Sequence, residues 1–462
     1  MRNKRPKNQL ELAFPPMVAG EARRSGRGGT EFRAARPATE SPAVVGPSME
    51  EVLDQENLTK ALQAVRRNKG APGIDGMTVE EFPAYLEEHL PAIRDQLLSG
   101  TFAPQPVRRV MIPKASGGER PLGIPTVLDR HIQQAALQVL QGCWDQTFSD
   151  HSFGFRPGRS AHQAVARAQE YVAAGHAWVV DIDLAQFFDR VNHDRLMAQV
   201  AKRVTDKRLL KLIRGFLTAG VMEGGVASLT VQGTPQGGPL SPLLSNLVLD
   251  ELDRELEKRR HHFVRYADDC NIYVRSERAG QRVMAGITRF VEDKLKLEVN
   301  AAKSAVAQPW QRQFLGFRLT TGEQPKRGIA PKARARFKQR VRELTGRTRG
   351  RSLQQMIDDL APYLTGWRGY FGFCETPTVL ERLDGWTRRR LRAVVWKQWR
   401  RGKTRYRNLR RRGVDPDLAA RTAGSPHGPW RLSRSPALHI ALPNAHFASL
   451  GLPSLHDTHA PA

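Results

Sequence analysis

The chain has 462 residues, a formal net charge of +27 at pH 7 and a hydrophobic content of 40%. Its length is enough for two or three domains, and its hydrophobic content excludes a wholly disordered polycation. No stretch approaches the roughly 20 apolar residues that span a bilayer, so we expect no membrane segment. A basic chain of this kind is expected to bind nucleic acid through phosphate contacts and counterion release.

The three cysteines, Cys143, Cys270 and Cys374, lie far apart in the sequence. They form neither a disulfide framework nor a paired zinc motif. The N-terminus also lacks the apolar core of a secretion signal. We therefore expect a reducing, cytoplasmic location.

The N-terminal part of the chain changes character near residue 49. Residues 1–49 are rich in Pro, Gly, Arg and Ala and predict a basic disordered tail. Apolar residues at helical spacing follow from Met49, and a second helix is predicted from Thr78. Residues 106–125 predict a hairpin with Lys114 and Arg120 on opposite sides of its turn. These cations would fold over a triphosphate, or the hairpin is simply charged and exposed.

Two loops have compositions that suit ligand contact. Residues 152–160 combine two aromatics with Arg156 and Arg159, a mixture typical of contact with a nucleic-acid strand. Residues 232–242 are rich in glycine and proline and include Gln236 and Gly237, where glycine permits close backbone approach to a ligand.

Acidic residues end a predicted buried strand at residues 177–183. Asp181 and Asp183 lie at its end, and Phe187 and Phe188 begin the next helix. Carboxylates at the end of a buried strand suit metal binding. The alternative is a capping or structural aspartate, which describes Asp181 or Asp189 better than Asp183.

A second acidic site is predicted at Asp268 and Asp269. Apolar, β-prone residues flank this pair, which predicts a hairpin with both carboxylates at its tip. Two adjacent like charges repel, and a divalent cation such as Mg²⁺ offsets the repulsion. For the tetrapeptide Tyr266-Ala267-Asp268-Asp269 taken alone, the alternative is a polar turn.

The C-terminal part is predicted to be helical and strongly basic. Between Trp386 and Arg412 the chain has thirteen Lys or Arg residues and no Asp or Glu. Trp396, Trp399 and Tyr406 are interspersed among them, and this mixture suits an RNA backbone with some stacking or anchoring.

The ordered set of motifs resembles the reverse transcriptase/maturase proteins encoded by bacterial group II introns. The resemblance extends from about Glu51 to about Leu455. Its blocks are Gly-Ala-Pro-Gly-Ile-Asp-Gly (70–76), Arg-Pro-Leu-Gly-Ile-Pro (120–125), Gly-Phe-Arg-Pro-Gly-Arg-Ser (154–160), Asp-Leu-Ala-Gln-Phe-Phe-Asp (183–189), Pro-Gln-Gly-Gly-Pro-Leu-Ser-Pro (235–242), Tyr-Ala-Asp-Asp (266–269) and Phe-Leu-Gly-Phe (314–317).

This resemblance implies an α+β fold, a right-hand polymerase in which fingers and palm with an antiparallel sheet precede an α-helical thumb and a basic C-terminal extension. The implied boundaries are 1–49 for the tail, 50–325 for fingers and palm, 326–400 for the thumb or maturase domain X, and 401–462 for the nucleic-acid-binding extension.

The resemblance also implies site residues. Asp183, Asp268 and Asp269 would bind catalytic Mg²⁺, and Asp183 is preferred over Asp181 because the family's aromatic residue, here Phe188, lies five positions later. The implied dNTP contacts are Lys114, Arg120, Phe188, Gln236, Gly237 and Lys303, with Phe188 under the sugar and Lys303 as a general acid toward pyrophosphate. The implied primer grip is Phe314, Leu315 and Gly316. The expected RNA contacts are Arg156, Arg159, Arg410, Arg411 and Arg412.

The partners implied by the family are group II intron RNA, an RNA template with a DNA primer, and dNTPs, and a homodimer is a candidate assembly. The chain would act as a maturase in splicing and in mobility by target-primed reverse transcription. Only Cys374 lies beyond residue 270, so the paired zinc cysteines of an HNH endonuclease are not found and second-strand cleavage is not expected.

Two alternatives stay open at this point. One is a bacterial reverse transcriptase outside introns, against which the long basic C-terminal part counts. The other is a splicing maturase that binds RNA with little polymerase activity. The intact Asp183, Asp268 and Asp269 argue against that second alternative, because a pure binding protein has no need of three metal carboxylates.

Overall fold

The structure is a computed structural model that describes residues 46–113, 118–223, 226–228, 232–233, 237–347 and 350–456. The predicted tail lies almost wholly outside these residues, as do Lys114 and Gln236. Residues 229–231, for which the sequence also predicts a short strand, lie outside them as well. Among the described residues, no helix is long and apolar enough to cross a membrane.

The N-terminal part consists of helices around one hairpin. Its elements are α1 (Met49–Val52), α2 (Gln55–Asn68), α3 (Phe82–Leu98), β1 (Val107–Pro113), β2 (Glu119–Ile124), α4 (Val127–Trp144) and α5 (Ala161–Ala173), with a short 3₁₀ helix at Asp145–Thr147. The predicted hairpin is confirmed, with Arg108 opposite Ile124. The helix predicted from Met49 is divided, because Asp54 caps α2 and accepts from the backbone of Glu56 and Asn57.

The palm is built on a four-stranded sheet. Its elements are β3 (Trp178–Ile182), α6 (Phe187–Arg190), α7 (His193–Ala201), α8 (Lys207–Thr218), β4 (Val221–Glu223), β5 (Val226–Ser228), α9 (Ser241–Lys258), β6 (His262–Tyr266), β7 (Asp269–Val274), α10 (Glu277–Phe290) and β8 (Ala305–Ala307), with a π-helical turn at Val291–Leu295. The sheet order is β6-β7-β3-β8 and all its pairs are antiparallel. Helices α9 and α10 pack on one face of the sheet, and α5 packs on the other together with Phe314 and Phe317, so β3 is buried on both faces.

Three further strand pairings were not anticipated from the sequence. Strand β4 pairs in parallel with β1 and antiparallel with β5, which gives a second sheet in the order β2-β1-β4-β5. Strands β9 (Phe317–Leu319) and β10 (Arg327–Ile329) form a separate antiparallel pair before the C-terminal helices. Parallel pairing between strands distant in sequence leaves no local signal, and propensity could not have predicted it.

The C-terminal part is helical and has its own hydrophobic core. Its helices are α11 (Pro331–Leu344), α12 (Leu353–Phe371), α13 (Pro377–Gln398), α14 (Gly402–Arg411), α15 (Pro416–Ala423), α16 (Pro429–Leu432), α17 (Pro436–Ala441) and α18 (Asn444–Ser449). This core extends from Ile329 to Leu455 around the fully buried Trp396. The buried Arg392 donates to the Leu442 carbonyl at 2.9 Å, so the residues after 400 pack onto α13.

Candidate active site

The predicted hairpin of the two adjacent aspartates is confirmed. Tyr266 at the end of β6 pairs with Asp269 at the start of β7, which leaves Ala267 and Asp268 at the tip. Ala267 has a left-handed φ of +57°. A non-glycine residue adopts this conformation at an energetic cost, and the surrounding structure must hold it there.

Asp183 reaches the same edge of the sheet from the neighbouring strand. Ile182 of β3 lies opposite Cys270 of β7. The next position on each strand puts Asp183 opposite Asp269, and residues opposed in this way have Cβ atoms about 5 Å apart. The Asp183 N–H donates to Ser304 Oγ at 3.0 Å, which fixes the chain beyond the end of β3. The fold thus brings together the three carboxylates expected to bind metal.

Asp181, two residues earlier on β3, has a different partner. Arg312 donates to Asp181 Oδ2 through Nε at 2.8 Å and through Nη2 at 2.5 Å. The Asp181 side chain is 13% exposed, so this paired carboxylate is largely removed from water. Arg312 was missed in the sequence because it is 131 residues distant and lies in a loop without any distinguishing pattern.

The carboxylates of the site repel one another in a buried setting. Burial raises the pKa of Asp269 well above its ordinary value, and Asp181, Asp268 and Asp183 raise it further. Burial also raises the pKa of Asp268, with Asp183 as the nearby like charge. A cation placed among these groups would restore their ionised forms by offsetting both effects.

An open cavity of about 550 Å³ lies over this edge of the sheet and is lined by Asp183, Asp269, Lys303 and Arg312 among others. Lys303 Nζ is 3.3 Å from Asp183 Oδ1, and its side chain remains mostly exposed to solvent. The expected lysine therefore stands beside the carboxylates, at the mouth of a cavity large enough for a nucleotide triphosphate.

The donor set fits a small divalent cation. Within the described ranges, no three His, Cys, Asp or Glu side chains lie close enough to hold a metal ion by themselves. A cation that keeps water and binds substrate phosphates needs only one or two carboxylates from the protein. Two of the hard carboxylates of Asp183, Asp268 and Asp269 would supply that number, and the repulsion among the three favours a bound cation.

A fully buried arginine supports the turn from within the protein. Arg265 pairs with Asp253 through Nη2 at 2.6 Å, and neither side chain is exposed. Its Nη1 donates to the Ala267 carbonyl at 2.9 Å and to Asn246 Oδ1 at 3.0 Å. The guanidinium therefore fixes the left-handed residue next to Asp268. The signal available in the sequence was a charged residue inside an otherwise apolar strand.

The loop at residues 153–159 packs against the same turn. A Cβ at Gly154 would lie 2.3 Å from the backbone nitrogen of Ala267, so only glycine allows this approach. Asn246 Nδ2 donates to the Gly154 carbonyl at 2.8 Å. The glycine of this motif therefore has a packing role beside the carboxylates.

The expected nucleotide-binding residues lie on two neighbouring surfaces. Arg120 is on β2, and Gly237 lies against the same strand, where a Cβ would be 2.3 Å from the Gly123 carbonyl oxygen. Gly233 also approaches Phe188 closely, since a Cβ there would be 2.9 Å from the Phe188 carbonyl oxygen. The glycine-rich loop therefore contacts both the hairpin with Arg120 and the turn with Phe188.

The apolar residues 314–317, which are expected to grip the primer, predict a short strand in sequence but form a tight turn in the structure. Phe314 and Phe317 exchange two backbone hydrogen bonds of 2.9 Å, and strand β9 begins only at Phe317. Leu315 has a φ of +50° and Gly316 of +79°. The Tyr370 hydroxyl of α12 donates to the Leu315 carbonyl at 2.8 Å. Tyr370, which the sequence reading missed, thereby fastens the turn to the C-terminal helices.

Arg156 requires a correction among the expected RNA contacts. It is buried, pairs with Asp145 at 2.8 Å and donates to the Ser149 and Ser152 carbonyls. Its guanidinium is thus used inside the protein, and a structural role replaces the predicted RNA contact. Arg159 pairs with Asp150 at 2.6 Å nearer the surface.

The aromatic and basic residues of the C-terminal part differ in their exposure to solvent. Trp396 and Trp399 are buried in the C-terminal core, so these indoles anchor helices and are not open to RNA bases. Arg410, Arg411 and Arg412 all remain exposed, although Arg410 donates to the Val414 carbonyl at 2.8 Å. Their predicted contact with RNA stays a prediction.

Two family models match the chain in succession. Residues 112–319 match the model described as reverse transcriptase (RNA-dependent DNA polymerase). Residues 334–413 match the model described as the maturase-specific domain of group II introns. The first contains all three converging carboxylates, and the second covers α11 to α14 apart from the first residues of α11.

Comparison with individual proteins agrees with these matches. The chain is 34% identical over 309 residues to Protein YkfC of Escherichia coli K12, covering 58% of this chain and 81% of YkfC. It is 32% identical over 323 residues to the group II intron-encoded protein LtrA of Lactococcus lactis subsp. cremoris, covering 56% of this chain but only 54% of LtrA. A solved partial Cas6-RT-Cas1–Cas2 complex gives a TM-score of 0.35 at 22% identity, over 53% of this chain and 42% of that chain. On its two successive domains and these relatives, the chain belongs to the group II intron reverse transcriptase/maturase family.

Proposed function

We propose that the chain is an RNA-directed DNA polymerase encoded by a group II intron, which extends a DNA primer on an RNA template with dNTPs and Mg²⁺. The observation that carries this proposal is the convergence of Asp183 with Asp268 and Asp269 at adjacent strand ends. Nucleotidyl transfer needs carboxylates from two strands at one place, because two metal ions must act on the same phosphoryl group.

In this proposal, Asp183, Asp268 and Asp269 would hold the ions. Bound Mg²⁺ would lower the pKa of the primer 3′-hydroxyl and neutralise the triphosphate charge. Lys303 would donate a proton toward the departing pyrophosphate from its place beside Asp183. Arg265 would act only by positioning, since it is buried and contacts the turn rather than the substrate.

The remaining pocket residues would select and orient the nucleotide. Lys114 and Arg120 would contact the triphosphate, and Gln236 with Gly237 would line the base and template side. Phe188 would lie under the sugar and reject a 2′-hydroxyl by steric clash. Phe314, Leu315 and Gly316 would hold the primer end, with Tyr370 maintaining their turn.

We further propose that the chain binds its intron RNA as a maturase and promotes mobility by target-primed reverse transcription in the cytoplasm. In this division of labour, residues 50–325 polymerise, 326–400 form the thumb, and 401–462 extend the RNA-binding surface. The exposed Arg410, Arg411 and Arg412 and the half-buried Arg159 would contact phosphates. A homodimer is a further part of the proposal.

The direct test is primer extension on an RNA template with dNTPs and Mg²⁺, using the wild type beside Asp268→Ala. We expect extension by the wild type alone, because the variant lacks one metal-binding carboxylate. The binding of both proteins to the intron RNA is measured in parallel and should be equal. Wild-type protein that binds RNA without extending the primer would instead support the maturase alternative, and extension by both proteins would refute the proposed metal site.

A further inference from the structure

A second, basic cavity lies at the opposite end of the β6–β7 hairpin from the carboxylates. It has a volume of about 480 Å³ and lies between the end of α9, the end of β7 and the first turns of α10. Val274, which ends β7 and lines the cavity, lies five positions after Asp269, and this separation corresponds to about 17 Å along an antiparallel strand. This distance places the cavity outside the candidate active site.

Four arginines from three elements line this cavity: Arg259, Arg260, Arg275 and Arg282. Arg259 pairs with Glu255 at 2.6 Å. For Arg260, Arg275 and Arg282, no carboxylate oxygen of the described residues lies within 4.0 Å. The palm arginines Arg214 and Arg254 are also exposed, yet each is paired with an acid. The cavity is therefore a local excess of positive charge without internal compensation.

Three histidines would add further positive charge to the cavity when they are protonated. His176, His261 and His262 also line the cavity, and the rings of His176 and His262 are 4.4 Å apart. Burial lowers the pKa of His262, and repulsion by His176, His151 and Arg275 lowers it further. An anion in the cavity would relieve this repulsion and favour protonation of the rings.

Apolar side chains complete the wall of the cavity. Tyr273, Val274, Ala279 and Val283 lie among the cations, and Tyr273 and Val274 are themselves buried in the palm sheet. The cationic groups are thus carried by strand and helix ends that the core holds in place. Such a rigid basic surface suits an extended polyanion whose successive phosphates each meet a separate guanidinium.

We propose that this cavity is a binding site for the phosphodiester backbone of RNA, separate from the template and primer at the carboxylate edge. Arg260, Arg275 and Arg282 contact phosphates, and His176 and His262 contribute additional donors. The number of unpaired cations favours several linked phosphates over a single free anion. This inference rests on the proposed role of the chain in RNA binding and assigns part of that binding to the palm.

The test compares two pairs of substitutions within one segment of the full chain. Arg275→Gln with Arg282→Gln removes two cavity cations, whereas Arg278→Gln with Arg289→Gln removes two exposed cations of α10 that do not line it. Binding of a single-stranded RNA oligonucleotide is followed by fluorescence anisotropy over a range of salt concentrations. The cavity variant should lose about 1.4 from the salt slope and bind roughly twentyfold more weakly at about 0.1 M salt.

The control pair, Arg278→Gln with Arg289→Gln, should change RNA binding much less than the cavity pair. Arg275→Lys with Arg282→Lys keeps both positive charges and should retain the wild-type salt slope. Equal losses in the cavity and control pairs would show diffuse electrostatics and overturn the site. No loss in the cavity pair would overturn it as well. Calorimetric binding of inorganic pyrophosphate to the cavity, without any effect of the cavity pair on RNA, would identify a site for small anions and refute the RNA assignment.

Two further measurements separate this inference from the proposed function. Thermal denaturation of each variant shows that the protein remains folded, as expected for substitutions of exposed side chains. Primer extension on a preformed template–primer should proceed equally in the wild type and both glutamine pairs. Absence of extension in all of them would count against the polymerase and leave the RNA-binding result for the cavity unaffected.

Discussion

The two ends of the β6–β7 hairpin carry opposite charge. At one end, Asp268 and Asp269 meet Asp183 in a group of half-buried acids. At the other end, His262 and Arg275 belong to a cavity lined by cations. Each group repels itself, so each is stabilised by a ligand of opposite charge. The β6–β7 hairpin thus separates a proposed cation site from a proposed anion site. We expect a substitution at one end to change its own site and leave the other site unchanged.

The largest expected effect is the loss of one acid. Asp269→Asn should reduce primer extension by about a hundredfold or more, because a neutral amide is a poor ligand for a hard divalent cation. RNA binding should stay unchanged, and the melting temperature should not fall, because the substitution removes like-charge repulsion. Extension assays and thermal denaturation test this, with the exposed Asp293→Asn as the control. Equal loss of extension and RNA affinity would contradict the independence of the two ends.

Removal of the buried arginine should follow in magnitude. Arg265→Met leaves Asp253 buried without its partner and should lower the free energy of unfolding by about 3–5 kcal/mol. The exposed pair of Arg214 and Asp194 is a matched comparison, and Arg214→Met should cost less than about 1 kcal/mol. Chemical denaturation measures both values.

A second variant separates stability from positioning in this case. Arg265→Met combined with Asp253→Leu should recover much of the stability, because no uncompensated charge remains. Extension by this double variant should still be slower at saturating primer–template, because the Ala267 carbonyl has lost its donor. Full recovery of the extension rate would show that Arg265 serves stability alone.

The two ends should respond to pH in opposite directions. At metal concentrations below saturation, lowering the pH should slow extension, because burial raises the pKa of Asp269 and its protonation would compete with the proposed metal binding. Lowering the pH through the ordinary histidine range, near about 6.5, should strengthen RNA binding. The pKa of His262 is lowered in the free protein, and a bound phosphate would raise it, so RNA binds the protonated form more tightly. The groups around His262 include His176, His151, Tyr171 and Arg275.

These pH profiles are measured on the same protein, with extension at subsaturating metal and RNA binding without nucleotide. His262→Gln should flatten the binding profile and leave the extension profile unchanged. A binding profile that falls with decreasing pH would contradict the assignment of histidines to phosphate contact.

The smallest expected effect concerns the primer-grip turn. Tyr370→Phe removes the hydroxyl that donates to Leu315 and should cost about 0.5–1.5 kcal/mol in the free energy of unfolding. We expect a several-fold rise in KM for primer–template and little change in RNA affinity at the basic cavity. Tyr406→Phe, at an exposed tyrosine, is the control. A change in kcat alone would place Tyr370 in a role other than holding the primer turn.

The sequence by itself determined the hairpin of Asp268 and Asp269, the strand before Asp183, the hairpin of β1 and β2, and the order of the family motifs. These features follow from short-range signals, namely β-prone residues around a turn and residues at fixed spacing. It also indicated that the chain binds nucleic acid, because net charge does not depend on the fold.

The tertiary structure alone decided which charged groups meet. In the fold, Arg265 pairs with Asp253, Arg312 with Asp181 and Arg156 with Asp145. Among the described residues, Arg260, Arg275 and Arg282 have no such acidic partner. The packing of the helices after residue 400 onto α13 was likewise undetectable from composition. The physical reason is that a charge in a sequence has no fixed role until packing determines whether it is desolvated, paired or left facing solvent.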